Sequence, residues 1–150
     1  MPRSRAIVTL NVVTAFYSGT PLAKKLGVKE GHRVTLIDAP HDWAIGDLPS
    51  SVRLLRRSGT TTSDVVIAFI NDAASLDREI ESLANTITPD GSLWIAWPRK
   101  AAGHRSDITD NIVRNTVLPL GLVDVKVAAL DDDWSALKMV WRKELRATRR

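Results

Sequence analysis

The sequence has no cysteine, which excludes disulfides, thiolate metal sites and cysteine nucleophiles. Its three histidines are scattered, so no metal centre is expected. Glycine is missing from the whole stretch HRVTLIDAPHDWAI, residues 32–45. There a basic residue leads into the apolar run Val34-Thr35-Leu36-Ile37, and the chain breaks at Asp38-Ala39-Pro40. A strand followed by such a break opens many nucleotide-binding α/β domains, where glycines then let a phosphate approach the backbone. Here Pro40, His41, Asp42 and Trp43 stand in their place. No apolar run approaches the roughly 20 residues of a membrane span. The start, MPRSRAIVTLNVVTA, is basic and then apolar, but Thr9, Asn11 and Thr14 interrupt it and no clean cleavage site follows. A cytoplasmic protein with no membrane partner is therefore expected. An excess of charge is also missing from most of the chain. Residues 1–141 carry 16 basic and 16 acidic groups, so the net charge of +4 belongs to Arg142–Arg150. That reads as a solvated basic tail, and nucleic acid is not the expected partner.

What the chain does contain is an alternation of strand and helix signals. Pro21 and LAKKL, closed by Gly27, spell a short helix capped by Thr20. A strand follows from His32 to Asp38, and VRLLRR (52–57) reads as a short second strand. Asp64–Ile70 is a continuous apolar run, the mark of a strand buried on both faces. From Ser75, the residues Leu76, Ile80, Leu83, Ala84 and Ile87 share one helical stripe. Thr88-Pro89-Asp90-Gly91 reads as a turn, and Ser92–Trp97 as the next buried strand. A helix from about Thr109 turns Ile112, Val113 and Val117 inward. Two last strands, 123–130 and 136–142, are joined by a link short enough for a hairpin. Trp94, Trp97 and Trp141 fall within these strands and are expected in the core or an interface. The fold class is α/β: a small three-layer Rossmann-like domain, mostly parallel, with a C-terminal antiparallel β-hairpin. Residues 1–15 read as an N-terminal extension, 16–143 as one domain and 144–150 as the tail.

The segment SDVVIAFI…LANTITPDGSLWIAWP and the terminal hairpin resemble the second half of the class I methyltransferase fold, in which an antiparallel last strand slips in beside the fifth. Four further segments, YSGTPLAKKLG, LWIAWPRKAAG, SDITDNIVRNT and GLVDVKVAALDDDWSALKMVWR, are similar to the uncharacterised bacterial domain-of-unknown-function family 3052. The chain departs from that pattern at Arg99 and in HRSD (104–107). The first resemblance implies a fold; the second carries no activity to transfer. Methyltransferases of this class also hold the cofactor ribose with an acid at the end of their second strand. VRLLRR offers only arginines there, so no cofactor is expected and S-adenosylmethionine is not expected to bind.

Ligands in open α/β sheets bind outside the carboxyl ends of the strands. Four loops should meet at that edge: Ala39–Trp43, Asn71–Ala73, Pro98–Asp107 and Asp131–Trp134. His41 beside Asp42 is the candidate catalytic pair, a base with a carboxylate neighbour. Arg99, Lys100, His104 and Arg105 share one glycine-containing loop that could wrap an anion. Trp43 and Trp134 could stack on a ligand. Asp131-Asp132-Asp133 fits a hairpin tip better than a cation site. YSGT (17–20) with Lys24 and Lys25 could cradle a phosphate, although helix punctuation explains it too. The leading expectation is a non-catalytic binding or regulatory module, a homo-oligomer, taking a small anionic ligand or an acidic protein partner at this edge. The alternatives are a small enzyme, either a divergent methyltransferase or one using His41 and Asp42, and a nucleic-acid-associated protein acting through the tail.

Overall fold

A computed structural model describes residues 21–56 and 61–150. Six strands form one sheet: β1 (Arg33–Ile37), β2 (Arg53–Leu55), β3 (Ser63–Phe69), β4 (Ile87–Pro98), β5 (Leu122–Ala129) and β6 (Trp134–Trp141). Their spatial order is β2-β1-β3-β4-β6-β5. The first four pair in parallel, and β6 runs antiparallel to both neighbours, lodged between β4 and β5. The expected α/β sheet with a terminal hairpin is therefore present, the last strand lying beside β4.

The two central strands earn their burial by alternation. Val66, Ala68, Leu93, Ile95 and Trp97 face one side, with Leu137, Met139 and Trp141 of β6. Helices α2 (Ala73–Ala84) and α3 (Asp110–Val117) cover that side through Leu76, Ile80, Leu83, Val113 and Val117. The other side presents Val65, Ile67, Phe69, Trp94 and Ala96. It is covered by the one-turn helix α1 (Leu22–Lys25), by Leu26, and by Trp43 and Ile45 from the irregular segment after β1. Three layers result, because the residues of Val65–Phe69 in β3 and Leu93–Trp97 in β4 that point off the sheet meet apolar partners. Inside, the hydroxyls of Thr35 and Ser63 satisfy each other at 2.6 Å.

Three details differ from the sequence reading. Helix α2 begins at Ala73, not Ser75, because the Asp72 carboxylate caps it by accepting from the Ser75 amide at 2.8 Å, and it ends at Ala84, so Ile87, expected on its stripe, opens β4 instead. The expected turn at Thr88–Gly91 is a bulge carried inside β4: Ser63 pairs with Ile87, and two residues later Val65 pairs with Ser92. Gly91 is required there, since a Cβ would sit 2.9 Å from the Asp64 carbonyl oxygen.

The third correction concerns the tail. Lys143–Arg149 form a further helix, α4, which is exposed except at the half-buried Leu145 and Arg146. Leu145 packs against the core, the Arg149 guanidinium lies 3.4 Å from the Trp141 ring centroid, and Arg150 reaches both oxygens of Asp90 at 2.7 and 2.8 Å. Of the tail's basic residues, Arg150 is thus paired with an acid and Arg149 is stacked on an indole, both on the protein's own surface. Thr20, the YSGT stretch and residues 1–15 lie outside the described residues. Among the described residues no helix is long and apolar enough to cross a membrane.

Candidate functional site

The carboxyl ends of β1, β3, β4 and β5 lie at one edge of the sheet, and the four loops expected there are tied together by hydrogen bonds. The Ser106 hydroxyl donates to the Asn71 carbonyl at 2.9 Å, and Asp107 accepts from the Ala73 amide at 2.8 Å, joining the loops after β3 and β4. The Arg99 amide donates to the Asp133 carbonyl at 2.8 Å, joining β4 to the hairpin. Trp43 Nε1 donates to Asp131 Oδ2 at 3.0 Å, joining the loop after β1 to the same hairpin.

Asp131 organises this edge. Its other oxygen accepts from the amides of Asp133 and Trp134 at 2.8 and 2.9 Å, forming the turn between β5 and β6. Asp133 turns to His104, whose Nε2 lies 2.8 Å from Oδ1. Consecutive acids therefore have separate partners. Among the described residues no group of three or more histidines and acids is placed to hold a metal.

The basic loop does not assemble as the sequence suggested. Arg99 is half-buried rather than a free surface arginine. Its Nη1 donates to the carbonyls of Asp131 and Asp132 at 3.2 and 3.4 Å, so its guanidinium braces the hairpin turn. Lys100 lies on a 3-10 turn closed by Gly103 (φ +85°), and both it and Arg105 are exposed. His104 is held by Asp133. His41 and Asp42 are exposed, and among the described residues no hydrogen bond joins them. A catalytic pair is not formed in this conformation, as neighbouring loop side chains diverge.

Both loop tryptophans pack on Phe69, at the end of β3. Trp43 meets it edge-on with centroids 4.9 Å apart, and Trp134 meets it edge-on at the same distance. Phe69 is the residue that sequence reading missed; only its place at the end of a buried strand hinted at it. A cleft of about 370 Å³ opens beside this triad, between α1, the loop after β1 and the hairpin. Its lining holds Trp43 and Trp134 with Asp42, Asp131 and Asp133, and no basic residue among the described residues. A smaller hollow of about 330 Å³, lined by Asn71 and His104, shares Asp133 and Trp134 with it.

No family model matches the chain, and no curated protein matches it. Its similarity to family 3052 therefore rests on the quoted segments alone. Solved structures do match. DhpI in complex with SAH aligns at a TM-score of 0.53 and 9% identity, over 82% of this chain and 83% of that one. The tRNA methyltransferase TrmK of B. subtilis aligns at 0.53 and 10%, over 84% and 66%. Magnesium protoporphyrin IX methyltransferase from Synechocystis PCC 6803, with bound SAM, aligns at 0.52 and 11%, over 81% and 74%. The chain has a methyltransferase-like Rossmann fold.

The residues at the expected cofactor positions do not fit S-adenosylmethionine. The loop after β1 has Pro40, which lacks an N–H, where a glycine amide would face the ligand. At the end of β2, where an acid would take the ribose hydroxyls, stands Arg56. Its Nη2 donates to the Trp43 carbonyl at 2.7 Å, stitching the β2 end to the loop after β1.

Proposed function

We propose that this chain is a divergent methyltransferase-like protein that binds a small, positively charged molecule in the cleft between Trp43 and Trp134. The observation that carries this is the lining, which among the described residues holds three carboxylates, two tryptophans and no lysine or arginine, with Asp131 held by Trp43 and the turn amides and Asp133 by His104. Carboxylates attract a cation through space, and an indole face adds cation–π attraction of about 0.5–2 kcal/mol per contact. The position supports it as well, since the carboxyl edge of an open α/β sheet is where such folds bind ligands. The likeness to methyltransferases favours the methyltransferase-like alternative over a purely regulatory module, though at 9–11% identity it speaks for fold and not for chemistry.

Methyl transfer from S-adenosylmethionine is the second reading, supported by neighbours whose structures hold SAM or SAH. One titration separates the two. Quaternary ammonium probes such as choline and tetramethylammonium should quench tryptophan fluorescence, in a manner weakened by salt and by Asp42→Asn. SAH, which lacks the sulfonium charge, should not bind. Micromolar binding of SAH with no response to the ammonium probes would establish the methyltransferase reading in its place.

A further inference from the structure

A second charged cluster lies away from this edge, on the α1 side of the sheet. Lys126 of β5 and Lys138 of β6 are direct cross-strand partners. Their ammonium groups lie 5.8 and 6.0 Å from the centroid of one ring, that of the fully buried Trp94. Like charges placed directly opposite across a strand pair repel. Partial burial, and after it repulsion from Lys126 and from Lys29 in the turn that follows α1, pulls the Lys138 pKa below that of an ordinary lysine. Lys25 reaches the same strand pair, its Nζ donating to the Ala129 carbonyl at 3.3 Å. Among the described residues no carboxylate forms an ion pair with any of the four.

The ground beneath the cluster is shaped to keep it. Gly27 (φ +79°) lies under Lys138, and a Cβ there would stand 3.6 Å from the ammonium nitrogen. Trp94 offers its ring to the two lysines while its Nε1 donates to the Leu26 carbonyl at 3.2 Å. The ring is thus fixed, and the ammonium groups are held above it with no counter-charge among the described residues.

We propose that Lys126 and Lys138, held above the buried ring of Trp94, form a binding site for a small phosphate-bearing anion. Lysines act on phosphate as point charges and need no bidentate geometry. A dianion between them would replace mutual repulsion with attraction. A buried Trp94 leaves no exposed ring for a base to stack on, which favours a compact phosphate or pyrophosphate over a nucleic-acid strand. This inference is independent of the acidic cleft, which lies at the strand ends and would repel such a ligand.

The test uses inorganic phosphate and pyrophosphate at low ionic strength, read by calorimetry and by melting temperature. Lys126→Met and Lys138→Met keep the aliphatic stem over Trp94 and remove only the charge. The wild type should bind pyrophosphate more tightly than phosphate, and each variant should weaken that binding about tenfold or more. Lys143→Met, on α4, should behave as the wild type. Without anion, Lys126→Met should melt no lower than the wild type, because it relieves repulsion. The proposal is overturned if pyrophosphate neither binds nor stabilises the wild type. It is equally overturned if the variants bind undiminished, or if Lys126→Met alone lowers the melting temperature. An RNA oligonucleotide that binds more tightly than pyrophosphate through the same lysines would replace the small anion with a nucleic acid.

Discussion

Trp43 donates its indole N–H to Asp131 across 88 residues of sequence, and this bond holds the loop after β1 against the terminal hairpin. Trp43 is otherwise buried against Phe69. Its two roles can be separated. Trp43→Phe keeps an aromatic ring on Phe69 and removes the donor, and should cost about 1 kcal/mol in urea unfolding. Trp43→Ala also leaves a cavity, and should cost about 3–5 kcal/mol. Equal losses in the two variants would show that packing contributes nothing beyond the hydrogen bond.

Arg99 should behave as a brace for the hairpin. Arg99→Ala removes the donors to the Asp131 and Asp132 carbonyls. Partial exposure tempers the effect, so the expected loss is about 1 kcal/mol. Lys100→Ala and Arg105→Ala, both exposed, should each stay within about 0.5 kcal/mol of wild type. Unfolding midpoints for the three variants would check the contrast. A loss at Arg105 larger than at Arg99 would contradict it.

These two arginines mark how far the sequence could be read. The central strands were legible because burial on both faces demands an unbroken apolar run, which Asp64–Ile70 and Leu93–Trp97 display. The hairpin was legible from a link too short for any other connection. Where side chains point was not. Arg99 and Arg105 look alike in a basic loop, and only the hairpin 32 residues further on tells them apart. Phe69 looked like one more strand residue until Trp43 and Trp134 closed on it from loops far along the chain. The last nine residues read as a charged tail because their apolar anchor is the single Leu145. Its partners, Gly121 and Trp141, are set by the packing of β5 and β6.

Acid should loosen helix α2 from its N-terminus. Hydrogen bonds from the Ser75 amide and hydroxyl hold the Asp72 carboxyl below the ordinary aspartate value. A lowered folded pKa means that the stabilisation is present above the unfolded-state pKa and is lost as pH falls through the folded one. The loss therefore falls below about pH 4. Asp72→Asn keeps a capping oxygen without titrating. Protection of the Ser75 amide, measured against its intrinsic exchange rate at each pH, should fall below that pH in the wild type and stay flat in the variant. Parallel profiles would rule out the Asp72 carboxylate as the source.

Helix α4 should be worth much of its length to stability, despite its charge. Its contacts gather on Trp141: Arg149 stacks on the ring, the Arg146 Nε donates to the Trp141 carbonyl at 3.0 Å, and Leu145 fills the space above Gly121. Gly121 has φ +98°, where any side chain is strained, and a Cβ would strike Leu145 Cδ1. Gly121→Ala should therefore cost about 1–3 kcal/mol, combining backbone strain with displacement of Leu145. Leu145→Ala removes the colliding group and should itself destabilise by about 2 kcal/mol. In the double variant the collision is gone, so the two losses should fall short of adding. Stopping the chain after Lys143 should bare Trp141 and shift its fluorescence to the red, with a lower melting temperature. If that truncated chain melts like the wild type, α4 is an ornament, and full additivity of the two substitutions would say the same of its contact with Gly121.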